Sequence, residues 1–120
     1  MSPSLSKTEM HVMSVVWQEG GRACAKRIAE VLATKFGYTA ATSYTLISRC
    51  VKKGALERVE PGYICYARVS QRDMQISETG NLVQRVFDGS VDKLFSFLVG
   101  DKKASQEDID RLRALIDSEE

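Results

Sequence analysis

The sequence has few residues of the kinds that build disulfide-bonded or metal-bound frameworks. Its three cysteines, Cys24, Cys50 and Cys65, are an odd number, stand far apart and form no C-x-x-C pair. The single histidine, His11, has no set of cysteines and carboxylates at ligand spacing. We therefore expect no disulfide framework, no zinc knuckle, no metal site and no cofactor.

Patterns that indicate catalysis are also missing. The sequence has no glycine-rich loop that could hold a phosphate group. Its lone histidine has no serine or cysteine partner implied by the sequence, and the acidic residues of the last segment form an ordinary solvated face. We predict that the protein is not an enzyme.

Long hydrophobic runs are absent as well. No apolar stretch approaches the length of a membrane span, and the first residues lack the apolar core of a secretory signal peptide. We expect a cytoplasmic protein without membrane insertion. The 120 residues suffice for one domain, or for a small domain with an appendage, and for a real hydrophobic core.

The net charge of +1 conceals an uneven distribution of charge. Residues 1–72 carry eleven lysines and arginines against five acidic residues, whereas residues 73–120 carry six against eleven. A basic front half is a candidate partner of a polyanion, and an acidic back half should stay away from one. Halves of this size also differ in charge by chance, so the asymmetry alone does not decide the function.

A predicted helix from Thr39 to Lys53 organises the chain. Thr39 can cap its first turn through the side-chain hydroxyl, and Gly54 can end it because glycine adopts a left-handed conformation at low cost. One side has the spacing of a core-facing stripe, made of Ser43, Leu46, Ile47 and Cys50. The other side carries hydroxyls and cations but no carboxylate, and consists of Thr42, Thr45, Arg49 and Lys52, flanked by Ala41, Tyr44 and Ser48.

A face of this kind suits a surface of phosphates and base edges. Arg49 has no acidic residue three or four positions away, so an ion pair within the helix cannot occupy it. The hydroxyls of Thr42 and Thr45 could bond phosphates or contact a thymine methyl group, or could be solvated. Tyr44 could instead pack in the core. The candidate DNA-binding residues of this helix are Thr42, Tyr44, Thr45, Ser48, Arg49, Lys52 and Lys53.

Two predicted helices precede this one. The first, Leu5–Gln18, begins at a capping box formed by Ser6 and Glu9. The second runs from Ala25 to Phe36 and ends at Gly37. Two helices joined by a tight connection that contains glycine are typical of a helix-turn-helix motif.

A β-hairpin is predicted directly after the central helix. Its strands, Leu56–Glu60 and Tyr63–Val69, are separated by the turn dipeptide Pro61-Gly62. Two strands are marginally stable alone, so the hairpin must pack on the helices, with Arg22–Cys24 as a third strand. We assign residues 1–70 to a winged-helix domain. The wing arginines Arg58 and Arg68 are further candidate phosphate contacts.

Residues 71–120 have a different character. Three short amphipathic helices are predicted: the first ends at Phe87, a break follows at Asp88–Ser90, and the last begins at an S-x-x-D cap at Ser105. A second copy of the chain would remove their apolar stripes from water, so we predict a helical dimerisation domain. Alternatively, the helices fold back on the first domain of a monomer. The predicted dimer contacts are Val83, Val86, Phe87, Val91, Leu94, Phe95, Leu98, Ile109, Leu112, Leu115 and Ile116.

Five segments carry a family resemblance. They are L-S-K-T-E-M-H-V-M-S-V-V-W (Leu5–Trp17), T-S-Y-T-L-I-S-R-C-V-K-K-G-A-L-E-R (Thr42–Arg58), the wing Tyr63–Tyr66, V-F-D-G-S-V (Val86–Val91) and S-Q-E-D-I-D-R-L-R-A-L-I (Ser105–Ile116). In this order they resemble the penicillinase-repressor and methicillin-resistance-repressor family over nearly the whole chain. The resemblance implies a homodimeric winged-helix transcriptional repressor of a palindromic operator with TACA/TGTA-like half-sites, commonly ahead of β-lactamase or other resistance genes.

The resemblance also implies roles for particular residues. The DNA contacts of the family fall on Thr42, Tyr44, Thr45 and Arg49, and Ala41 stands where relatives often have a lysine. In the family, a membrane sensor protease triggers cleavage of the repressor, which releases the operator. The cleavage region falls at Ser96 and Phe97, where relatives have Asn-Phe, so this chain departs from the family there. It also lacks the C-terminal Cys-x-Cys pattern of the copper-responsive relatives.

The predicted fold class is therefore mainly α with a small β-wing: a winged helix-turn-helix DNA-binding domain followed by a C-terminal helical dimerisation element. The predicted function is sequence-specific repression of transcription by a homodimer on double-stranded operator DNA, with a membrane sensor protease as a further partner. The alternative is a winged-helix protein-interaction module without DNA binding. If Arg22–Cys24 pairs with the wing, Cys24 and Cys65 could also lie close enough to form a redox switch.

Overall fold

A computed structural model describes residues 3–100, 106, 107, 110 and 114 of the chain. Five helices and three strands lie within residues 7–100. In chain order they are α1 (Lys7–Gln18), β1 (Arg22–Cys24), α2 (Ala25–Phe36), α3 (Ala40–Lys52), β2 (Leu56–Val59), β3 (Ile64–Ala67), α4 (Gln71–Val86) and α5 (Val91–Gly100). The chain divides into two compact units, residues 1–71 and residues 72–120. In the described part, no helix is both long enough and apolar enough to cross a membrane.

Local capping chemistry determines where the helices of the first unit begin. Ser6 and Glu9 form the predicted capping box at α1, with Glu9 N donating to Ser6 Oγ at 3.2 Å and Ser6 N donating to Glu9 Oε1 at 2.8 Å. Thr39 caps α3 by accepting from Thr42 N at 3.1 Å. Gly37, at φ 72°, closes α2 in the left-handed conformation that glycine allows at low cost. These local signals separate α2 from α3 by a short turn.

The three strands form one antiparallel sheet in the order β1-β3-β2. The register places Ala23 opposite Cys65 and Cys24 opposite Ile64. Because neighbouring residues of a strand point to opposite faces, the thiols of Cys24 and Cys65 leave the sheet on opposite sides. The hypothesis of a disulfide switch between them is therefore wrong for this fold, and all three cysteines are free thiols.

The core of the first unit lies between α1, α2, α3 and the sheet. Its fully buried side chains include Met13, Ile28, Leu32, Ile47 and Leu56. Two aromatic side chains, Trp17 and Phe36, lie at the edge of this core. Trp17 Nε1 donates to the carbonyl of Val69 at 3.0 Å. Phe36 is 41% exposed and stacks on the His11 ring at 3.9 Å.

Ser43 and Cys50 lie on the inner face of α3. Both residues are fully buried. Among the described residues, Ser43 Oγ has no hydrogen-bond partner, whereas Cys50 Sγ donates to the carbonyl of Glu9 at 3.6 Å. Burial raises the pKa of Cys50 to about 12, so this thiol stays protonated and acts as a small apolar side chain.

A buried ion pair joins the start of α1 to the residue that follows α3. The Glu9 side chain is 3% exposed, and its Oε1 accepts from Lys53 Nζ at 2.7 Å as well as from Ser6 N. Lys53 Nζ also donates to the carbonyl of Ser4 at 3.3 Å. Burial by itself would raise the pKa of Glu9, but the hydrogen bonds from Lys53 and Ser6 outweigh it and lower the pKa below 4.5.

The second unit has a small apolar cluster of its own. Val83, Leu94 and Phe95 are each 5% exposed, and Phe87, Val91 and Leu98 pack against them. The break between α4 and α5 contains Asp88 and Gly89 at positive φ, and Ser90 Oγ accepts from Lys93 N at 3.2 Å to cap α5. The predicted contacts Ile109, Leu112, Leu115 and Ile116 lie outside the described residues.

The lowered pKa of Glu9 makes the stability of the first unit sensitive to acid. The folded state resists protonation of Glu9 more than the unfolded state does, so the contribution is complete above about pH 4.5 and is lost as the pH falls through the lower pKa of the folded state. Glu9→Gln should lower the free energy of unfolding at pH 7 by roughly 1–3 kcal/mol and flatten its dependence on pH below 4.5. Urea denaturation at a series of pH values measures both effects.

The exposed Glu30 of α2 provides the control, because no ion pair involves it among the described residues. Glu30→Gln should keep the pH dependence of the unaltered chain. The assignment is wrong if Glu9→Gln loses stability with acid as steeply as the unaltered chain does.

Candidate nucleic-acid interface

The outer face of α3 presents the side chains that the sequence singled out. Thr42, Tyr44, Thr45, Ser48, Arg49 and Lys52 are all exposed, opposite the buried stripe of Ser43, Leu46, Ile47 and Cys50. Two open concavities lie along this face. One of about 450 Å³ is lined by Tyr44, Thr45, Ser48, Arg49 and Lys52, and one of about 310 Å³ is lined by Ala41, Thr42, Thr45, Leu46 and Arg49.

Among the residues that the structure describes, no carboxylate forms an ion pair with the cations of this face. Four of the five glutamates of residues 1–71 form ion pairs elsewhere: Glu9 with Lys53 at 2.7 Å, Glu19 with Arg27 at 2.8 Å, Glu57 with Arg68 at 3.8 Å and Glu60 with Arg58 at 2.6 Å. Within the described part of the chain, no ion pair involves Arg49 or Lys52. These two cations can therefore approach phosphates or guanine edges without breaking an existing bond.

The two threonines of the face offer different hydrogen-bonding capacities. Thr45 Oγ1 donates to the carbonyl of Ala41 at 3.0 Å, so its oxygen is left as an acceptor and its methyl group as an apolar contact. Thr42 Oγ1 accepts from Thr39 Oγ1 at 3.0 Å, so its own proton remains to be donated. Thr42 thus suits a phosphate oxygen, whereas Thr45 suits a base amino group or a thymine methyl group.

Tyr44 is a residue of α3 whose ring contacts the wing. Its side chain is 39% exposed, and its ring meets the Tyr63 ring at 6.1 Å between centroids and 63° between planes. The sequence left open whether Tyr44 packs in the core or lies on the surface, and in the structure it lies on the surface. It also faces a groove of about 290 Å³ between α2 and α3, whose lining includes Lys26 and Ala40.

The other candidate cations are already engaged within the first unit. Lys53 is held by the buried Glu9 and by the carbonyl of Ser4. Arg58 Nε donates to Glu60 Oε2 at 2.6 Å, and its guanidinium lies 3.5 Å from the centre of the Tyr63 ring. Arg68 is 3.8 Å from Glu57, and both side chains are more than half exposed. The face of α3 thus brings together six of the nine predicted DNA contacts, and the other three lie in ion pairs.

Sequence reasoning missed three residues that shape this surface. Glu9 removes Lys53 from the face, but its partner is 44 residues away, and no sequence pattern indicates a pair at that distance. Glu60 and Tyr63 stand on either side of the predicted Pro61-Gly62 turn. Tyr63 N donates to Glu60 Oε1 at 2.9 Å. The sequence signal that could have indicated this contact is an acidic residue three positions before an aromatic residue, with a turn between them.

The predicted dimer contacts divide into two groups. Val83, Leu94 and Phe95 are buried within the second unit, with Phe87, Val91 and Leu98 partly buried against them. Among the described residues of this unit, the exposed large apolar side chains are Leu82, Val86, Phe97 and Val99. The predicted cleavage position, Ser96 and Phe97, lies inside helix α5, where both side chains are exposed.

Comparison with known proteins identifies the family to which the chain belongs. The penicillinase repressor family matches residues 5–118 of the chain. The chain belongs to this family of winged-helix DNA-binding repressors, as its sequence segments predicted.

The similar relatives share a single kind of function. The methicillin resistance regulatory protein MecI of Mammaliicoccus sciuri and that of Staphylococcus aureus strain N315 are each 28% identical over 114 residues, which cover 93% of this chain and 92% of the relative. The penicillinase repressor of Bacillus licheniformis is 22% identical over 117 residues, covering 96% of this chain and 91% of the relative. The predicted role as a DNA-binding repressor is thereby confirmed, and the alternative of an interaction module without DNA binding is not supported.

A solved structure matches the first unit in three dimensions. The DNA-binding domain of the repressor BlaI aligns with a TM-score of 0.54 and 25% sequence identity, and the match covers 59% of this chain and 88% of that domain. The predicted fold class, mainly α with a small β-wing, is confirmed.

Arg49 should contribute to sequence choice as well as to affinity. Arg49→Ala should weaken binding to a preferred duplex by roughly 1–3 kcal/mol, and weaken binding to a scrambled duplex by less, because a guanidinium that reads a guanine edge loses a paired contact. Fluorescence anisotropy with both duplexes measures the two losses. Arg27→Ala, which removes an arginine paired with Glu19, serves as the control and should change neither. Equal losses on both duplexes would show that Arg49 contacts phosphate only.

Proposed function

We propose that the chain acts as a homodimer that represses transcription by binding a palindromic operator. In each copy, α3 enters the major groove and reads bases with Thr45, Arg49 and Tyr44, while Thr42, Ser48 and Lys52 contact the backbone. The wing lies beside the adjacent backbone. The second unit joins two copies.

The observation that carries this proposal is the uncompensated positive face of α3. The ion pairs of Glu19, Glu57 and Glu60 are exposed and add little stability, whereas that of Glu9 has a buried carboxylate and stabilises the first unit. The pairing of all four glutamates elsewhere also matters for α3. Its effect is to leave Arg49 and Lys52 without a carboxylate neighbour. A duplex supplies the missing negative charge, and releases counterions when cations replace them.

The two-fold symmetry of a homodimer predicts the form of the operator. Two recognition helices related by a two-fold axis reach half-sites about one helical turn, or roughly 34 Å, apart. A palindrome with its half-site centres at this spacing, or at a multiple of it, is therefore the expected binding site. By similarity to the penicillinase repressor and to MecI, the regulated genes are those of a β-lactamase or of another resistance or stress function.

A membrane sensor protease is the proposed partner that ends repression. Ser96 and Phe97 are exposed on α5, and a helical peptide bond has to unwind locally before a protease can accept it. Regulated cleavage therefore requires that α5 opens, at a position where this chain has serine before phenylalanine.

Selection from a random duplex library tests the proposed function directly. The purified full chain should enrich an inverted repeat, and the affinity for that duplex should fall with rising salt as phosphate contacts predict. Absence of binding at low salt would favour a protein-binding role for the winged helix. Enrichment without any symmetry would overturn the homodimer on a palindrome.

The exposed apolar side chains of the second unit give the test of dimerisation. Val86 is 59% exposed in a single chain, so Val86→Asp leaves the cluster of Val83, Leu94 and Phe95 intact. An aspartate enclosed between two copies costs roughly 2 kcal/mol or more, which should weaken dimerisation by more than about tenfold. Light scattering across a concentration series should show the mass of one chain where the unaltered protein shows two.

Asn81→Asp is the matched control, since it adds the same charge at an exposed polar position of α4. It should leave the mass at two chains. A single-chain mass for the unaltered protein, or an undiminished dimer with Val86→Asp, would contradict this assignment.

A further inference from the structure

The tip of the wing is organised by one carboxylate. Glu60 Oε1 accepts from Tyr63 N at 2.9 Å, and Glu60 Oε2 accepts from Arg58 Nε at 2.6 Å. Tyr63 has φ 50°, a left-handed conformation that residues other than glycine adopt only when their surroundings hold them there. Glu60 therefore holds both the strained residue and the arginine that lies over it.

The Tyr63 ring is contacted on two sides. The Arg58 guanidinium lies 3.5 Å from its centre, within the range of a cation–π interaction. The Tyr44 ring meets it in an edge-on arrangement at 6.1 Å, which is a favourable geometry for two aromatic rings. We call Glu60, Arg58, Tyr63 and Tyr44 the wing bracket, because they connect the wing to the recognition helix α3.

The wing bracket limits the contacts that Arg58 can make with DNA. Its Nε is occupied by Glu60 and its planar face by Tyr63, and its positive charge is neutralised by the neighbouring carboxylate. One of its five N–H donors is thus used, and a phosphate would compete with Glu60 for its positive charge. Lys52 on α3 has no such bonds to break among the described residues.

We propose that Tyr63 is a positioning residue for base reading: it fixes the orientation of Tyr44, and Arg58 and Glu60 hold Tyr63 in place instead of contacting phosphate. This inference rests on the proposed function, since it assumes that Tyr44 contacts the operator. Sequence choice by α3 then depends on the wing even where the wing touches no base.

The test compares the full chain and its variants on two duplexes, the one that the unaltered chain selects and a scrambled version of it. Tyr63→Ala should reduce the ratio of the two affinities by roughly two- to tenfold, the worth of an aromatic pair. The slope of log affinity against log salt should not change, because no phosphate contact is lost. Tyr63→Phe keeps the ring and should restore the ratio.

Tyr66→Ala is the matched control, on strand β3 directly after the turn that contains Tyr63. Tyr66 is an exposed tyrosine whose ring lies 5.5 Å from the Arg22 guanidinium and takes no part in the bracket. It should keep the affinity ratio. Circular dichroism and thermal melting of each variant confirm that it is folded; if Tyr63→Ala melts at the assay temperature, Tyr63→Leu takes its place, because it retains apolar volume without an aromatic ring.

Two further measurements distinguish positioning from a general loss of structure. Tyr44→Ala and Tyr63→Ala should be non-additive in operator binding, with the double variant no weaker than Tyr44→Ala alone, whereas Tyr63→Ala and Arg49→Ala should add. Arg58→Ala should leave the salt slope unchanged, while Lys52→Ala should reduce it by about 1.8, because each of the two copies loses one phosphate contact worth about 0.9.

The outcomes separate this inference from the proposed function. If the unaltered chain does not prefer its selected duplex over the scrambled one, the proposed function fails. If it does prefer it, and a folded Tyr63→Ala or Tyr63→Leu variant keeps the full preference, the positioning role is overturned. A fall of about 1.8 in the salt slope of the Arg58→Ala dimer would show that Arg58 contacts phosphate.

Discussion

The positive face of α3 depends on where the carboxylates of the first unit are paired. Five glutamates lie in residues 1–71, and four of them hold a lysine or an arginine away from that face. If any of them lay beside Arg49, a phosphate would have to displace it, and the electrostatic gain on binding DNA would shrink by the strength of that ion pair. The same pairing explains why adjacent lysines differ: Lys53 Nζ is bonded to Glu9 and to the carbonyl of Ser4, whereas Lys52 forms no ion pair among the described residues.

Those features of the fold that depend on short-range chemistry could be predicted from the sequence. The capping box of Ser6 and Glu9, the cap at Thr39 and the turn at Gly37 act within three or four residues, and they placed the helices within about two residues of their bounds. The buried stripe of α3 follows from helical periodicity alone. Arg22–Cys24 was expected as the third strand because two strands are marginally stable alone.

Contacts between distant elements were beyond the reach of these patterns. Phe36 shares the helical spacing of the buried Ile28 and Leu32 in α2, but its ring lies against His11 with much of its surface exposed. Periodicity in α4 and α5 likewise identified an apolar stripe without separating Leu94, which the unit buries itself, from Val86, which it leaves exposed. Both distinctions depend on how helices cross, and that is determined by the side chains of both partners.

The wing bracket and the proposed dimer would both reduce the free-energy cost of binding the operator. A short helix that reads a few bases has limited affinity, so its reading side chains must lose little freedom on binding, and its second copy must already be nearby. The contact of Tyr63 with Tyr44 reduces the freedom that the reading face would lose. A partner joined through the second unit raises the effective concentration of the other half-site. The first device sharpens the choice of bases that α3 makes, and the second adds the contacts of a second α3, so neither requires a base contact from the wing.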